Sequence, residues 1–410
     1  MKSKTALSEF FSEDPLAGGV ANKNKSVKKQ IIKILDEIDS LTIPELSRHL
    51  NMSVPKVTSL VNTLIKEGLL VDLGKIKSTG GRRANTYGLA GNACYFIGVD
   101  VKRYYVNIGL MDFNKHIIKL EEKIPYSLAN TQQSLSTLIK SIINFIKDRG
   151  INKSKILGMG INLSGRVNNI TGYSYSYFHF QEEPLARLIE EQTGIRTFLE
   201  NDANAMALGE YEQGVVADER NVIFINLDYG TGSGIIIDGK VYYGKSGFSG
   251  EFGHIPFFDN SILCGCGKKG CLETEISGQA LVRKVKEKLN SGATSILTKN
   301  CKNIENLKLE DLIEAARQED VLVIELLSEM GEMLGRALSV LINIFNPELV
   351  ILGGTLSETG EYLRLPAKSA INKFSLSLVN NDTQLKVSKL GEKAGVVGAC
   401  LIARRKVIAV

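Results

Sequence analysis

Five short apolar runs recur from residue 95 onward: YFIGVDV (95–101), YVNIGLMDF (105–113), ILGMGINLS (156–164), VIFINLDYG (222–230) and LVILGG (349–354). Each is bounded by Gly, Asp or Asn, and each has the length of a buried strand. Stretches of helical period, such as LSTLIKSIINFIKDRG and LARLIEEQTG, lie between them. Strands alternating with helices predict an α/β domain with substantial parallel pairing. The runs fall into two blocks, 95–200 and 201–392, which read as two lobes with a cleft between them. The last segment, 393–410, reads as a helix that packs back on the first lobe and completes it.

The N-terminal part has a different texture. Residues 1–25 are polar and poorly patterned and read as a flexible arm. From Ser26, Val27, Ile31, Ile34, Leu35 and Ile38 recur at helical spacing. Thr42 can cap a second helix with Pro44 in its first turn, and Ser53 a third that turns Val57, Leu60, Val61, Leu64 and Ile65 inward until Gly68 ends it. LLVDLGKIKSTGGRRANTYGL then reads as two strands around a Gly-rich basic tip. This order is the plan of a winged helix-turn-helix over residues 26–90. In that plan the third helix enters the major groove of double-stranded operator DNA. The candidate contacts are Ser53, Pro55, Lys56, Thr58, Ser59 and Asn62. Arg82 and Arg83, freed by Gly80 and Gly81, reach for phosphates or a minor groove. Charge agrees: residues 1–90 hold 14 Lys/Arg against 9 Asp/Glu, an excess equal to the net charge of +5 on all 410 residues. A basic terminal module on a neutral body favours a polyanionic partner. A small protein-interaction domain is the alternative reading of the same pattern.

With 43% hydrophobic and 23% charged residues, the composition is that of an ordinary globular protein. No stretch has the length and apolarity of a bilayer span, and the start lacks an apolar run of signal-peptide length. The expected compartment is the cytoplasm, with no membrane partner.

Three of the six cysteines, Cys264, Cys266 and Cys271, sit within eight residues, downstream of His254. A Cys3His set separated by glycines is a preferred structural zinc environment, with no ligand left over for an open coordination position. Two further motifs bear chemistry. In LENDANAMALGE, Asn201 and Asp202 follow a strand-like run and open a helix. They suit hydroxyl recognition, or general-base work by the carboxylate, although Asn-Asp is also a good helix cap. In LDYGTGSGIIIDGKVYYGKSGFSGEFGH, Gly230, Thr231, Gly232 and Gly234 form a loop whose amides can bind phosphate, or a plain Gly-rich hairpin. Glu251, His254 and Glu273 lie close to the zinc set. With Asn201 and Asp202 they make a group of carboxylates, an amide and an imidazole suited to sugar hydroxyls, which both donate and accept.

These pieces together resemble the ROK family (repressors, open reading frames and kinases) over nearly the whole chain from about residue 26. Gly253-His254 through CGCGKKGCLETEISGQAL looks like the family signature, LENDANAMALGE like its sugar-contact motif, and LDYGTGSGIII like its second phosphate motif. LVILGGTLSETG looks like its nucleotide-side segment, at Gly353 and Gly354. The resemblance implies an actin-like sugar-kinase fold behind the winged helix-turn-helix, and a homodimer or homotetramer. It implies sugar contacts at Asn201, Asp202, Glu251, His254 and Glu273, with His254 shared between zinc and sugar. Asp202 matches the catalytic base of family kinases.

The chain departs from the kinases at their first phosphate turn, Asp-x-Gly-Gly-Thr. Asp100 survives, but Val101, Lys102, Arg103 and Tyr104 follow it, and side chains there block the backbone approach that glycine permits. Ser164 stands where kinases carry Pro. The expectation is therefore a sugar-responsive repressor that binds a sugar or sugar phosphate without phosphoryl transfer. Its Asp202 is a degenerate base, Gly230, Thr231, Gly232, Gly353 and Gly354 are a vestigial nucleotide side, and no ATP is expected. The alternative is a sugar kinase with a fused DNA-binding domain. Replacing Arg82 and Arg83 together by Ala should weaken operator binding in a mobility-shift titration while leaving sugar binding intact.

Overall fold

The computed structural model describes residues 6–11, 20–75, 84–148, 150–180, 182–300 and 303–408. Its N-terminal part comprises α1 (Ala6–Phe11), α2 (Val20–Ile38), β1 (Ser40–Thr42), α3 (Ile43–Leu50), α4 (Val54–Lys66), β2 (Leu70–Lys75) and β3 (Asn85–Leu89). Strand β3 pairs antiparallel with both β1 and β2. Thr42 begins α3 in a full capping box, its hydroxyl accepting from the Glu45 amide while the Glu45 carboxylate accepts from the Thr42 amide. Asn51, left-handed at φ 50°, stops α3 and turns the chain into α4.

The helical pattern starts earlier than the sequence suggests. α2 begins at Val20, and α1 lies inside the stretch read as a flexible arm, with Phe11 buried edge-on against Phe113. Ser53 occupies the N-cap of α4 but makes no side-chain cap bond. Ile38, the last residue of the apolar recurrence, is 43% exposed where α2 ends. Arg82 and Arg83 lie outside the described residues.

The first lobe holds β4 (Tyr95–Val101), β5 (Tyr105–Asp112), β6 (Ile117–Pro125), α5 (Gln132–Asp148), β7 (Ile156–Leu163), the short pair β8 (Val167–Asn168) and β9 (Tyr173–Ser174), α6 (Leu185–Thr193) and β10 (Thr197–Asn201). Helix α7 (Asp202–Gln213) leads into the second lobe: β11 (Val222–Leu227), β12 (Thr231–Ile237), β13 (Lys240–Val241), α8 (Glu273–Ile276), α9 (Gly278–Asn290), α10 (Leu297–Asn300), α11 (Leu309–Arg317), α12 (Val321–Phe345), β14 (Leu349–Gly353), α13 (Glu361–Phe374), α14 (Ser377–Asp382) and β15 (Gln384–Val387). The last helix is α15 (Lys393–Ile408).

The two main sheets repeat one plan. Their orders are β6-β5-β4-β7-β10 and β13-β12-β11-β14-β15. In each, three antiparallel strands in chain order are extended by two parallel ones. Among the described residues no helix is long and apolar enough to cross a membrane.

α7 and α15 cross between the sheets at backbone contact. A Cβ on Gly398 would lie 1.8 Å from the Ala205 carbonyl oxygen, so only glycine fits there. At its far end α15 meets the N-terminal part. Ala403 and Val407 join the core formed by Ile31, Leu46, Val61 and Phe96. Arg404, 1% exposed, stacks on Phe113, donates to its carbonyl and pairs with Asp36 of α2 at 2.6 Å. Lys115 bridges Asp36 (3.2 Å) and Glu212 of α7 (3.3 Å), and Arg405 also pairs with Glu212. Burial alone would raise the Asp36 pKa; the Arg404 and Lys115 cations outweigh it and hold the carboxyl below its ordinary 3.8.

Asp36→Asn should cost about 3 kcal/mol, because it strips the carboxylate from a buried guanidinium. Calorimetric melting checks this. The Asp36 contribution is present above pH 3.8 and lost as the pH falls below it, so the two proteins should converge in acid.

Candidate functional site

A cleft of about 540 Å³ opens between the lobes, a size in the range of small-molecule sites. Asp202, Glu251, His254 and Glu273 line it, and so does Asn201. Strand β10 delivers Asn201 and Asp202 to the cleft as the N-terminus of α7. Asn201 is largely spent on capping: its Oδ1 accepts from the Ala203 and Asn204 amides, and its Nδ2 donates to the Gly165 carbonyl. The helix-cap reading of this residue therefore describes its side chain, and the pair's carboxylate is that of Asp202. Asp202 Oδ2 accepts from the Ser164 hydroxyl at 2.8 Å and from Asn226 Nδ2 at 3.2 Å.

Beneath this pair Glu200 is buried. It accepts from the Asn201 amide, from Asn204 Nδ2 and from Asn169 Nδ2, and so holds the strand end against the β8–β9 loop. Burial pushes its carboxyl above the ordinary range.

The opposite wall comes from the second lobe. His254 stands between two carboxylates: Nε2 is 3.7 Å from Glu251 Oε2, and Nδ1 is 3.4 Å from Glu273 Oε1. Burial raises the Glu251 pKa against the opposing pull of His254 and Arg166. In the stretch TGYSYSYFHF (171–180), Tyr175 and Tyr177 line the cleft, whereas Phe178 is core. Tyr175 meets Phe248 of the second lobe edge-on at 5.7 Å.

His254 also belongs to a second group. The ligand atoms of His254, Cys264, Cys266 and Cys271 all lie within 4.8 Å of one another. Cys264 Sγ is 3.4 Å from His254 Nδ1, and Cys266 Sγ is 3.6 Å from Cys271 Sγ. Metal–sulfur bonds of about 2.3 Å in a tetrahedron put neighbouring ligand atoms roughly 3.5–3.8 Å apart, so the set fits a zinc-sized ion. The loop is folded by tight turns, with Cys264 N–H donating to Lys268 O and Gly267 N–H to Cys264 O. Gly270, at φ 72°, passes so close to the Phe258 carbonyl that a Cβ would collide with it. A metal can thus be held by this Cys/His cluster, with Nδ1 toward it and Nε2 toward the cleft.

On the remaining side of the cleft, Lys102, Arg103 and Tyr104 form the turn between β4 and β5. Lys102 Nζ is 3.2 Å from Asp228 Oδ2 and 3.8 Å from Asp100 Oδ2. Burial alone would lower its pKa, but Asp100, Asp228, Glu392 and Asp202 outweigh it and hold the ammonium charged. Asp100, wholly buried, is pushed up to about 6 by burial against the pull of Lys102. Arg103 lies 5.6 Å from the ring centres of both Tyr104 and Tyr229, and these rings meet edge-on at 5.2 Å across the lobes.

Gly230, Thr231 and Gly232 line the cleft as the β11–β12 hairpin. Gly353 and Gly354 sit behind it at the end of β14, outside the lining. Sequence reasoning missed Ser164, Asn226 and Asp228 as functional groups. Only Ser164 left a trace, as a departure from a family pattern.

Ser53, the N-cap of α4, is exposed; on α4 itself Pro55, Ser59 and Asn62 are exposed and Thr58 is half-buried, around a shallow concavity that Val54, Thr63 and Lys66 complete. Lys56, a candidate DNA contact, donates to Asn24 of α2 at 2.7 Å.

Comparison with known proteins places these parts. The ROK family model matches residues 96–406, and a model described as winged helix-turn-helix DNA-binding matches residues 26–71. The chain is 30% identical over 385 residues to the xylose repressor of Caldicellulosiruptor bescii, covering 92% of this chain and 96% of that one. A crystal structure of a ROK family transcriptional regulator, a homologue of the Escherichia coli Mlc protein, superposes with TM-score 0.77 at 27% identity over 93% of this chain and 96% of that one. A ROK family glucokinase from Streptomyces griseus, in complex with glucose and AMPPNP, superposes with TM-score 0.68 at 30% identity, covering 76% of this chain and 99% of the kinase. Cys266→Ser should lower metal content by about one ion per chain in atomic absorption, because three ligands hold a structural ion poorly.

Proposed function

Because this chain belongs to the ROK family and carries a winged helix-turn-helix ahead of the family domain, we propose that it is a sugar-responsive repressor of carbohydrate genes that transfers no phosphoryl group. The name of the Caldicellulosiruptor bescii relative, a xylose repressor, supports the link to sugar control. The observation that carries the reading is the β4–β5 turn. Where a kinase needs bare backbone around the nucleotide phosphates, this turn presents the Lys102 ammonium and the Arg103–Tyr104–Tyr229 stack. Phosphoryl transfer depends on positioning and charge stabilisation of the phosphates, and neither survives without that space. ATP is not a ligand in this reading.

The sugar is held by Asp202, Glu251, His254 and Glu273. Asn201 acts mainly by fixing the helix end that aims Asp202, and Ser164 and Asn226 orient its carboxylate. His254, Cys264, Cys266 and Cys271 hold a structural zinc. When bound, the ion cross-links the loop from which His254 reaches the sugar. Ser53, Pro55, Thr58, Ser59 and Asn62 face the operator's major groove, with Lys56 available once it leaves Asn24. Arg82 and Arg83 reach the backbone or the minor groove. The protein acts in the cytoplasm as a homodimer or homotetramer, which presents paired helices to half-sites one helical turn apart or multiples of it.

A sugar shifts this equilibrium only by binding one conformation better. Helix α7 supplies a route for that difference: Asp202 at its start faces the sugar, and Glu212 near its end shares Lys115 with Asp36 of the DNA-binding part.

Two assays test the reading. Purified protein with ATP, magnesium and a panel of hexoses should release no ADP, and clear turnover on any of them overturns it in favour of a kinase. Binding to the DNA upstream of its own gene should be sequence-selective and fall steeply with salt. Binding with no sequence preference and no salt slope removes the DNA role.

A further inference from the structure

The phosphate half of the cleft is more negative than positive. Asp100, Asp202, Asp228 and Glu392 all act on the single ammonium of Lys102. That ammonium is only 8% exposed and already pairs with Asp228 and Asp100. Two amides of the glycine hairpin also face carboxylates. The Tyr229 amide donates to Asp228 Oδ1 at 2.8 Å, and the Thr231 amide to Glu273 Oε2 at 3.5 Å. Arg103 is held against its two tyrosine rings. Arg166, the other guanidinium lining the cleft, acts on Glu251 at the opposite end.

What faces a ligand here is therefore a set of acceptors, led by Asp202 and Asp228. A carboxylate accepts hydrogen bonds, and a sugar hydroxyl can donate one to it. A phosphate monoester carries a charge of about −1.5 to −2 at neutral pH and presents acceptor oxygens. Beside these carboxylates it meets like charge.

Resting on the sugar-cleft reading above, we infer that the effector is an uncharged sugar and that the Lys102–Asp228 pair is the specificity element that rejects its phosphate ester. Lys102 serves as a built-in counter-ion. It offsets part of the acidic cluster and is itself engaged by Asp228 and Asp100.

Titration calorimetry on the full chain tests this with matched ligands: D-glucose, D-xylose and N-acetyl-D-glucosamine, each against its terminal phosphate ester. For the sugar that binds, the free form should be tighter than the ester by about tenfold or more. Asp228→Asn removes one carboxylate and releases the Lys102 ammonium, so the preference should shrink by about tenfold in that variant. An ester that binds wild-type protein as tightly as its parent sugar overturns the inference and leaves the sugar reading standing. An unchanged preference in folded Asp228→Asn protein overturns the role of the pair. If none of the free sugars or esters binds, the sugar-cleft reading itself falls.

Discussion

The structure depends on the crossing of α7 and α15. These helices touch backbone to backbone through Gly398 and Ala205, so they cannot slide independently of each other. α7 starts in the cleft at Asp202 and ends beside Lys115 and Arg405. α15 starts against Asp100 at Gly395 and ends in the core it shares with α2. Twelve residues of α7 span about 18 Å. The two lobes, the cleft and the DNA-binding part are therefore connected by one rigid pair rather than by flexible linkers. The ionic junction of Asp36, Lys115, Glu212 and Arg404 lies where that pair meets the N-terminal part.

The cleft brings two chemically different sides together. One side carries Asp202, Glu251, His254 and Glu273, the proposed sugar contacts, and His254 ties it to the Cys/His cluster behind it. On the other a lysine stands among carboxylates, and an arginine lies against tyrosines from both lobes. The Streptomyces griseus glucokinase has a similar fold, and a fold alone does not fix what its cleft does.

Much of this was legible in the chain. The helix cap at Thr42, the Cys3His spacing and the alternation of apolar runs with helices are local signals, and local geometry honours them. The illegible parts have physical causes. Phe11 gave no pattern because a six-residue helix has too few turns to show one; it is held by a ring from β5's end, a hundred residues away. Lys56 read as a free basic residue until α2 placed Asn24 within its reach. Asn226 and Asp228 read as the end of a strand, and only the packing of two lobes brings them to Asp202 and Lys102.

The sequence by itself determined the periodicities, the metal-ligand spacing and the absence of glycine from residues 101–104, because each is set by neighbours along the chain. Only the tertiary structure decided what the side chains of that turn meet. The Lys102 ammonium acquires its role from Asp228, 126 residues away, and the Arg404 guanidinium acquires its role from Asp36 at the other end of the protein. Charge pairing inside a folded chain acts through space, and spacing along the sequence does not record it.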